Sequence, residues 1–430
     1  MRSVDYLIES HERMSSNLTV DVLLALAVVV ITGRLLGKAL GKIGQPPVIG
    51  EVLAGILLGP SLLGRLFPAI EVRLFPAAAT PALAVVAQIG VVLYMFAVGV
   101  EFDAAALRRR AARFIFVSQA SIAVPFLLGL GIAAFIRPEF ALPGVQPMAF
   151  SLFMGIAMSI TAFPVLARIL TDRGLTRTEL GIAALACAAV DDVTAWCLLA
   201  IVVGVTRATI SSGVNAAVLA AVFIAAMFAI ARPIAAKLAR TAGNDHVSYE
   251  AMTWTLAGLL VSAIVAEAIG IHAVFGAFIY GAILPADSAI GRRLSIHRIP
   301  VITILFLPAF FALTGLRTRI GLVATSHDWL ICALITAAAV VGKFGGTLAG
   351  GALVGLPWSF AARLGILMNT RGLMELVVLN VGLDLGVLSP RLFTMMVIMA
   401  IVTTAMAAPL LDVLHRGTAT ARPRQAMKAG

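Results

Sequence analysis

Asp191 and Asp192 are adjacent carboxylates in the middle of an apolar run, Leu180 to Val205, that is long enough to cross a bilayer as a helix. An aspartate at the centre of such a helix costs about 2.5–3.5 kcal/mol on insertion scales, and two neighbours also repel each other. A membrane helix that carries this penalty has a use for it, so the pair is a candidate functional site. Successive helical residues point about 100° apart. The two carboxylates therefore cannot share one task symmetrically: one faces a neighbouring helix while the other faces a cavity. Adjacency also argues against an intramembrane aspartyl protease, whose two carboxylates must oppose each other from different helices across a water.

A third charge belongs with them. Lys343, in Val341-Gly342-Lys343-Phe344-Gly345-Gly346, lies near the centre of another apolar segment. It is too far from either end to snorkel, and the glycines allow a close helix approach. Asp191, Asp192 and Lys343 titrate as one coupled group, so no single pKa belongs to either carboxylate. A buried carboxylate that holds either a proton or a metal ion, never both, is the minimum equipment for exchanging one against the other.

The elements that position these groups are interrupted helices. Ser159-Ile160-Thr161-Ala162-Phe163-Pro164 sits at mid-depth in the segment over about 146–170. Pro164 lacks an N–H and disfavours helix at the residue before it, which frees carbonyls and the hydroxyls of Ser159 and Thr161 for a cation or water. A plain proline kink is the alternative. Asn369-Thr370-Arg371-Gly372 interrupts the segment over about 359–386 in the same way. Two broken helices bring positive N-termini and negative C-termini to the membrane centre. Arg371 either offsets the negative ends or pairs with Glu375 one turn on. Glu51 and Glu375 are candidates for an access path. His272 reads as structural, and Glu101 and Asp103 as flanks of a basic loop.

Composition sets the frame. The chain has 430 residues, 61% hydrophobic and 12% charged, with a net charge of +11 and a mean hydropathy of +1.03. Soluble domains carry about 25% charged residues, so the fold class is all-α and polytopic in a lipid bilayer. The positive charge reads as cytoplasmic loops rather than nucleic-acid binding. Cys187, Cys197 and Cys332 fit no metal or disulfide spacing and read as apolar fillers. No cofactor and no enzymatic chemistry is expected. About thirteen apolar segments can be counted, including one over about 213–232. They make a transmembrane domain over 18–414 between a short N-terminus, 1–17, and a short basic tail, 415–430. The N-terminus does not begin like a signal peptide. Arg34, Lys38, Lys42, the cluster Arg108, Arg109, Arg110 and Arg113, and Arg292, Arg293 and Arg298 all fall in loops on the same side as the tail. The positive-inside rule then puts the N-terminus outside and the C-terminus inside. Met95-Phe96-Ala97-Val98-Gly99 recurs as Phe310-Phe311-Ala312-Leu313-Thr314-Gly315, and Gly155-Ile156-Ala157-Met158-Ser159 as Gly365-Ile366-Leu367-Met368-Asn369. The shared order predicts two five-helix repeats, about 47–205 and 271–414. The parity of the intervening segments makes the second copy inverted.

Together these pieces make the chain similar to the monovalent cation:proton antiporter 2 family of bacterial sodium/proton antiporters, potassium efflux systems and plant cation/proton exchangers. The matching stretches are GQPPVIGEVLAGILLGPSLLG (44–64), LYMFAVGVEFD (93–103), SITAFPVLARIL (159–170), VDDVTAW (190–196), IGIHAVFGAFIYG (269–281), GKFGG (342–346) and MNTRGLMELVVLNVG (368–382). The resemblance implies a thirteen-helix inverted-repeat fold, usually a homodimer, with a moving core and a fixed scaffold that carry the site across the membrane like an elevator. It implies that the Asp192 position binds the ion or proton and that the Asp191 position pairs with Lys343. An acid at that first position goes with electrogenic exchange. The implied function is exchange of a monovalent cation, Na⁺ ahead of K⁺ or Li⁺, for protons across a cell inner (plasma) membrane. The alternatives are a K⁺/H⁺ antiporter or K⁺ efflux protein, or a cation channel on the same scaffold. The sequence lacks the long soluble C-terminal region of the potassium efflux systems and plant exchangers, so gating by such a region is not expected.

Overall fold

The computed structural model describes residues 2–101, 104–175, 178–207, 218–219, 221–241, 248–269, 273–285, 288–294 and 302–419. Asp103, His272, Arg298 and the tail after Ala419 lie outside the described residues. Within them every regular element is a helix. The principal ones are α1 (Arg2–Gly41), α2 (Pro47–Leu58), α3 (Thr80–Glu101), α4 (Ala104–Phe140), α5 (Pro147–Ser159), α6 (Phe163–Asp172), α7 (Glu179–Arg207), α8 (Arg232–Thr241), α9 (Tyr249–Ala268), α10 (Ala273–Ile283), α11 (Leu307–Arg317), α12 (Ser326–Leu353), α13 (Trp358–Met368), α14 (Leu373–Asp384) and α15 (Pro390–Ala419). Among the described residues, ten helical stretches are long and apolar enough to cross a membrane, and three shorter apolar helices, α5, α10 and α13, stand among them.

Two boundaries differ from the sequence reading. The stretch before Leu18 continues α1 as helix from Arg2, because it holds no glycine or proline to stop it. The segment expected over about 213–232 runs further, its described apolar span reaching Ala239. It runs on towards Pro233 because Met227–Ala231 is a π-turn. The widened turn takes up the clash that a proline ring makes with the carbonyl four residues before it. Pro308 is accommodated identically, behind a π-turn at Ile302–Phe306.

Glycines set the closest contacts. A Cβ on Gly55 of α2 would lie 2.0 Å from the Ala312 carbonyl of α11, and one on Gly315 would lie 2.3 Å from the Val52 carbonyl of α2. Helices α3 and α10 repeat this arrangement. A Cβ on Gly99 would lie 2.2 Å from the Phe278 carbonyl, and one on Gly281 would lie 2.2 Å from that of Phe96. Val52 and Gly55 thus stand to Ala312 and Gly315 as Phe278 and Gly281 stand to Phe96 and Gly99. Another such contact packs α12 on α4. A Cβ on Gly342 would meet Pro125 Cα at 2.8 Å, and one on Gly346 would meet the Ala120 carbonyl at 2.5 Å. With these two helices backbone to backbone, Lys343 is carried into the interior.

Candidate functional site

Helices α5 and α6 are one crossing broken at Ile160–Ala162, and α13 and α14 are another broken at Asn369–Gly372. Pro164 does not end a helix. It stands in the first turn of α6, where a missing N–H costs nothing. The chain leaves α5 through Ile160 in an extended conformation. The two breaks face each other: the Ala162 N–H donates to the Thr370 carbonyl at 2.9 Å. Gly372 caps α14 where a Cβ would sit 2.5 Å from Val165 Cγ2 of α6, so a larger residue there must displace Val165.

Arg371 is fully buried and answers the negative end of α5. Its guanidinium donates to the Ala157 carbonyl at 2.9 Å and to the Met158 carbonyl at 2.6 Å, and also to Glu375 Oε2 at 3.1 Å. The two roles open in the sequence therefore coexist. Thr404 of α15 fixes the backbone here, its hydroxyl bonded to the Arg371 N–H at 3.0 Å and to its carbonyl at 2.8 Å.

Helix α7 presents the aspartates to different neighbours. Asp191 is buried and accepts from Lys343 Nζ at 2.7 Å, the Thr161 hydroxyl at 2.8 Å and the Ser121 hydroxyl at 3.3 Å. The Ser118 hydroxyl also donates to it, on the other carboxylate oxygen. Thr161 has a second acceptor for its single hydrogen, the Met368 carbonyl at 2.8 Å. Asp192 is as deeply buried, yet neither of its oxygens has a hydrogen-bond partner among the described residues.

Ala162, Thr370 and Asn369 are buried in the crossing and Phe163 is half-buried. Thr370 donates to the Leu367 carbonyl, and the Asn369 side-chain oxygen has no partner among the described residues. The Ser159 hydroxyl is turned back to the Ile156 carbonyl of its own helix at 2.9 Å. A crevice beside the crossing is lined by Val48, Ile49, Val52, Arg371, Gly372 and Thr404, with Leu376, Ala400 and Ile401. Glu51, packed beside Gly33 of α1, and Glu375, held by Arg371, are neighbours of this crevice in sequence and not among its lining. Sequence reasoning missed Ser118, Ser121 and Thr404. The first two are three residues apart in an apolar run, the spacing of one helix face, and that was the available signal.

Residues 24–413 match the family described as sodium/hydrogen exchanger, transmembrane. The chain belongs to that family. This exchanger-family chain is thus a multi-pass membrane protein. The Na⁺/H⁺ antiporter NhaS4 of Synechocystis sp. is 43% identical to it over 400 residues, covering 92% of this chain and 98% of its own. Cation/H⁺ antiporter 18 of Arabidopsis thaliana is 38% identical, covering 92% of this chain and 49% of its own. K⁺/H⁺ antiporter 1 of Saccharomyces cerevisiae is 33% identical, covering 94% and 47%. The chain spans about half the length of these plant and yeast relatives. The structure of the sodium proton antiporter MjNhaP1 from Methanocaldococcus jannaschii is similar in fold, with a TM-score of 0.68 at 14% identity over 90% of this chain and 98% of that one.

Proposed function

We propose that the chain exchanges a monovalent cation for protons and that Asp192 carries one or the other. The observation behind this reading is the contrast between two adjacent carboxylates. Asp191 is balanced by Lys343 and hydroxyls, whereas Asp192 is buried with no partner for either oxygen among the described residues. A bare charge in such a place is expensive, so the carboxylate holds a proton or a hard cation, and the two compete. The lysine keeps its partner throughout. The electrogenic exchange expected of an acid at the Asp191 position requires a further proton per cation besides the one that Asp192 carries.

Alternating access follows from the repeats. The matched glycine contacts of α2 with α11 and α3 with α10 support an inverted-repeat scaffold. Against it the crossing helices, with α4, α7, α12 and α15, move as a core in an elevator cycle, in a homodimer in a cell inner membrane, N-terminus outside. Sodium is the lead cation, because the relative at 43% identity is named an Na⁺/H⁺ antiporter. Potassium is the second reading, because the yeast relative is named a K⁺/H⁺ antiporter.

The test is proton flux in inside-out vesicles carrying an internal pH dye, with Na⁺, K⁺ and Li⁺ added in turn. Alkalinisation of an acid lumen by one of them names the substrate. A folded protein that conducts a cation with no proton counter-movement would be a channel, and the reading would fall.

A further inference from the structure

Two adjacent carboxylates on one helix are chemically identical, so something outside α7 decides which of them meets the cation. A carboxylate offers about four lone-pair positions. Asp191 Oδ2 accepts from Lys343, Thr161 and Ser121, and Oδ1 from Ser118, with Ser121 also 3.5 Å away. Thr161 has an alternative acceptor in the Met368 carbonyl, also 2.8 Å away. Among the described residues the α4 serines have no acceptor outside Asp191.

Their bonds also run against local habit. A serine or threonine inside a helix usually returns its hydrogen to a carbonyl one turn back. Here Thr194 donates to Val190, Thr255 to Ala251, Thr347 to Lys343 and Thr403 to Met399, each at 2.7–2.9 Å. Ser118 and Ser121 give theirs to Asp191 instead, 73 and 70 residues away. Ser121 also accepts from Lys343 Nζ at 3.5 Å, so it touches both members of the ion pair. The backbone geometry fixes it there: a Cβ on Gly346 would lie 3.2 Å from Ser121 Cα.

We propose that Ser118 and Ser121 are positioning residues that commit Asp191 to Lys343 and thereby reserve Asp192 for the cation. The proposal rests on the exchange reading above. Without the two hydroxyls, Asp191 has free lone pairs and freedom to turn, and it adds its oxygens to the cation held by Asp192.

The experiment measures cation affinity by the rise in melting temperature of purified protein titrated with Na⁺, or with K⁺ if that is the ion transported. The proteins are wild type, Ser118→Ala/Ser121→Ala, Asp191→Asn, and the triple variant. We expect the double serine variant to bind the cation at least fivefold more tightly. We expect no difference between Asp191→Asn and the triple variant, because the serines act only through that carboxylate. Ser121→Ala alone, should the double variant not fold, gives a smaller change of the same sign. An unchanged affinity overturns the proposal, as does an equal change in the Asp191→Asn background, which would mark a merely structural role. Absence of any cation response in wild type would instead overturn the exchange reading, and this proposal with it.

Discussion

At the scale of single residues, the site is a division of labour imposed by hydrogen bonds. Lys343 and Asp191 are both fully buried and 2.7 Å apart. Removing one partner leaves an uncompensated charge in the interior, so Lys343→Ala is expected to cost about 3–5 kcal/mol of stability. Unfolding in detergent measures this, and Lys343→Met combined with Asp191→Asn recovers most of it, because neither charge then remains. A loss under about 1 kcal/mol in Lys343→Ala would mean that the pair is hydrated rather than dry. Asp191, Asp192, Lys343 and Arg371 were legible in the sequence because a charge in mid-membrane is conspicuous by its cost. Ser118, Ser121 and Thr404 were not, because hydroxyls are common in membrane helices and ordinarily bond their own backbone. Only the fold shows which ones look elsewhere. Ser159 is the converse case: its place in the motif drew attention, yet its hydroxyl stays with Ile156.

At the scale of elements, the position of Lys343 depends on how near α12 comes to α4. Gly346→Ala would put a Cβ 2.5 Å from the Ala120 carbonyl, which is backbone and cannot step aside. The helices must separate, at a cost of about 1–3 kcal/mol typical of overpacking. Thermal unfolding and exchange rate should fall together in this variant. Gly345→Ala, with open space around the new Cβ, is the control and should change neither. The sequence located both helix breaks through Pro164 and through the polar run Asn369–Gly372. It could not tell that Pro164 would open α6 rather than close α5, since proline is tolerated in a first turn and disfavoured beyond it. Nor could it find the π-turns before Pro233 and Pro308, because insertion of one extra residue per turn leaves no compositional mark.

At the scale of the whole molecule, the polytopic all-helical fold was legible because bilayer thickness sets the length of apolar segments. The proposed orientation puts Lys42, after α1, inside and His327, at the head of α12, outside. Both side chains are exposed. In intact cells a membrane-impermeant thiol reagent should label His327→Cys and spare Lys42→Cys; the opposite pattern would invert the topology. The exchange account as a whole turns on Asp192, and its most direct test is cation-driven proton flux in proteoliposomes holding equal amounts of wild type and Asp192→Asn. Wild type should move protons when the cation is added, and the variant should give no flux above empty liposomes while melting cooperatively. Flux persisting in Asp192→Asn would contradict the account, because the carboxylate assigned to carry the ion and the proton would then be carrying neither.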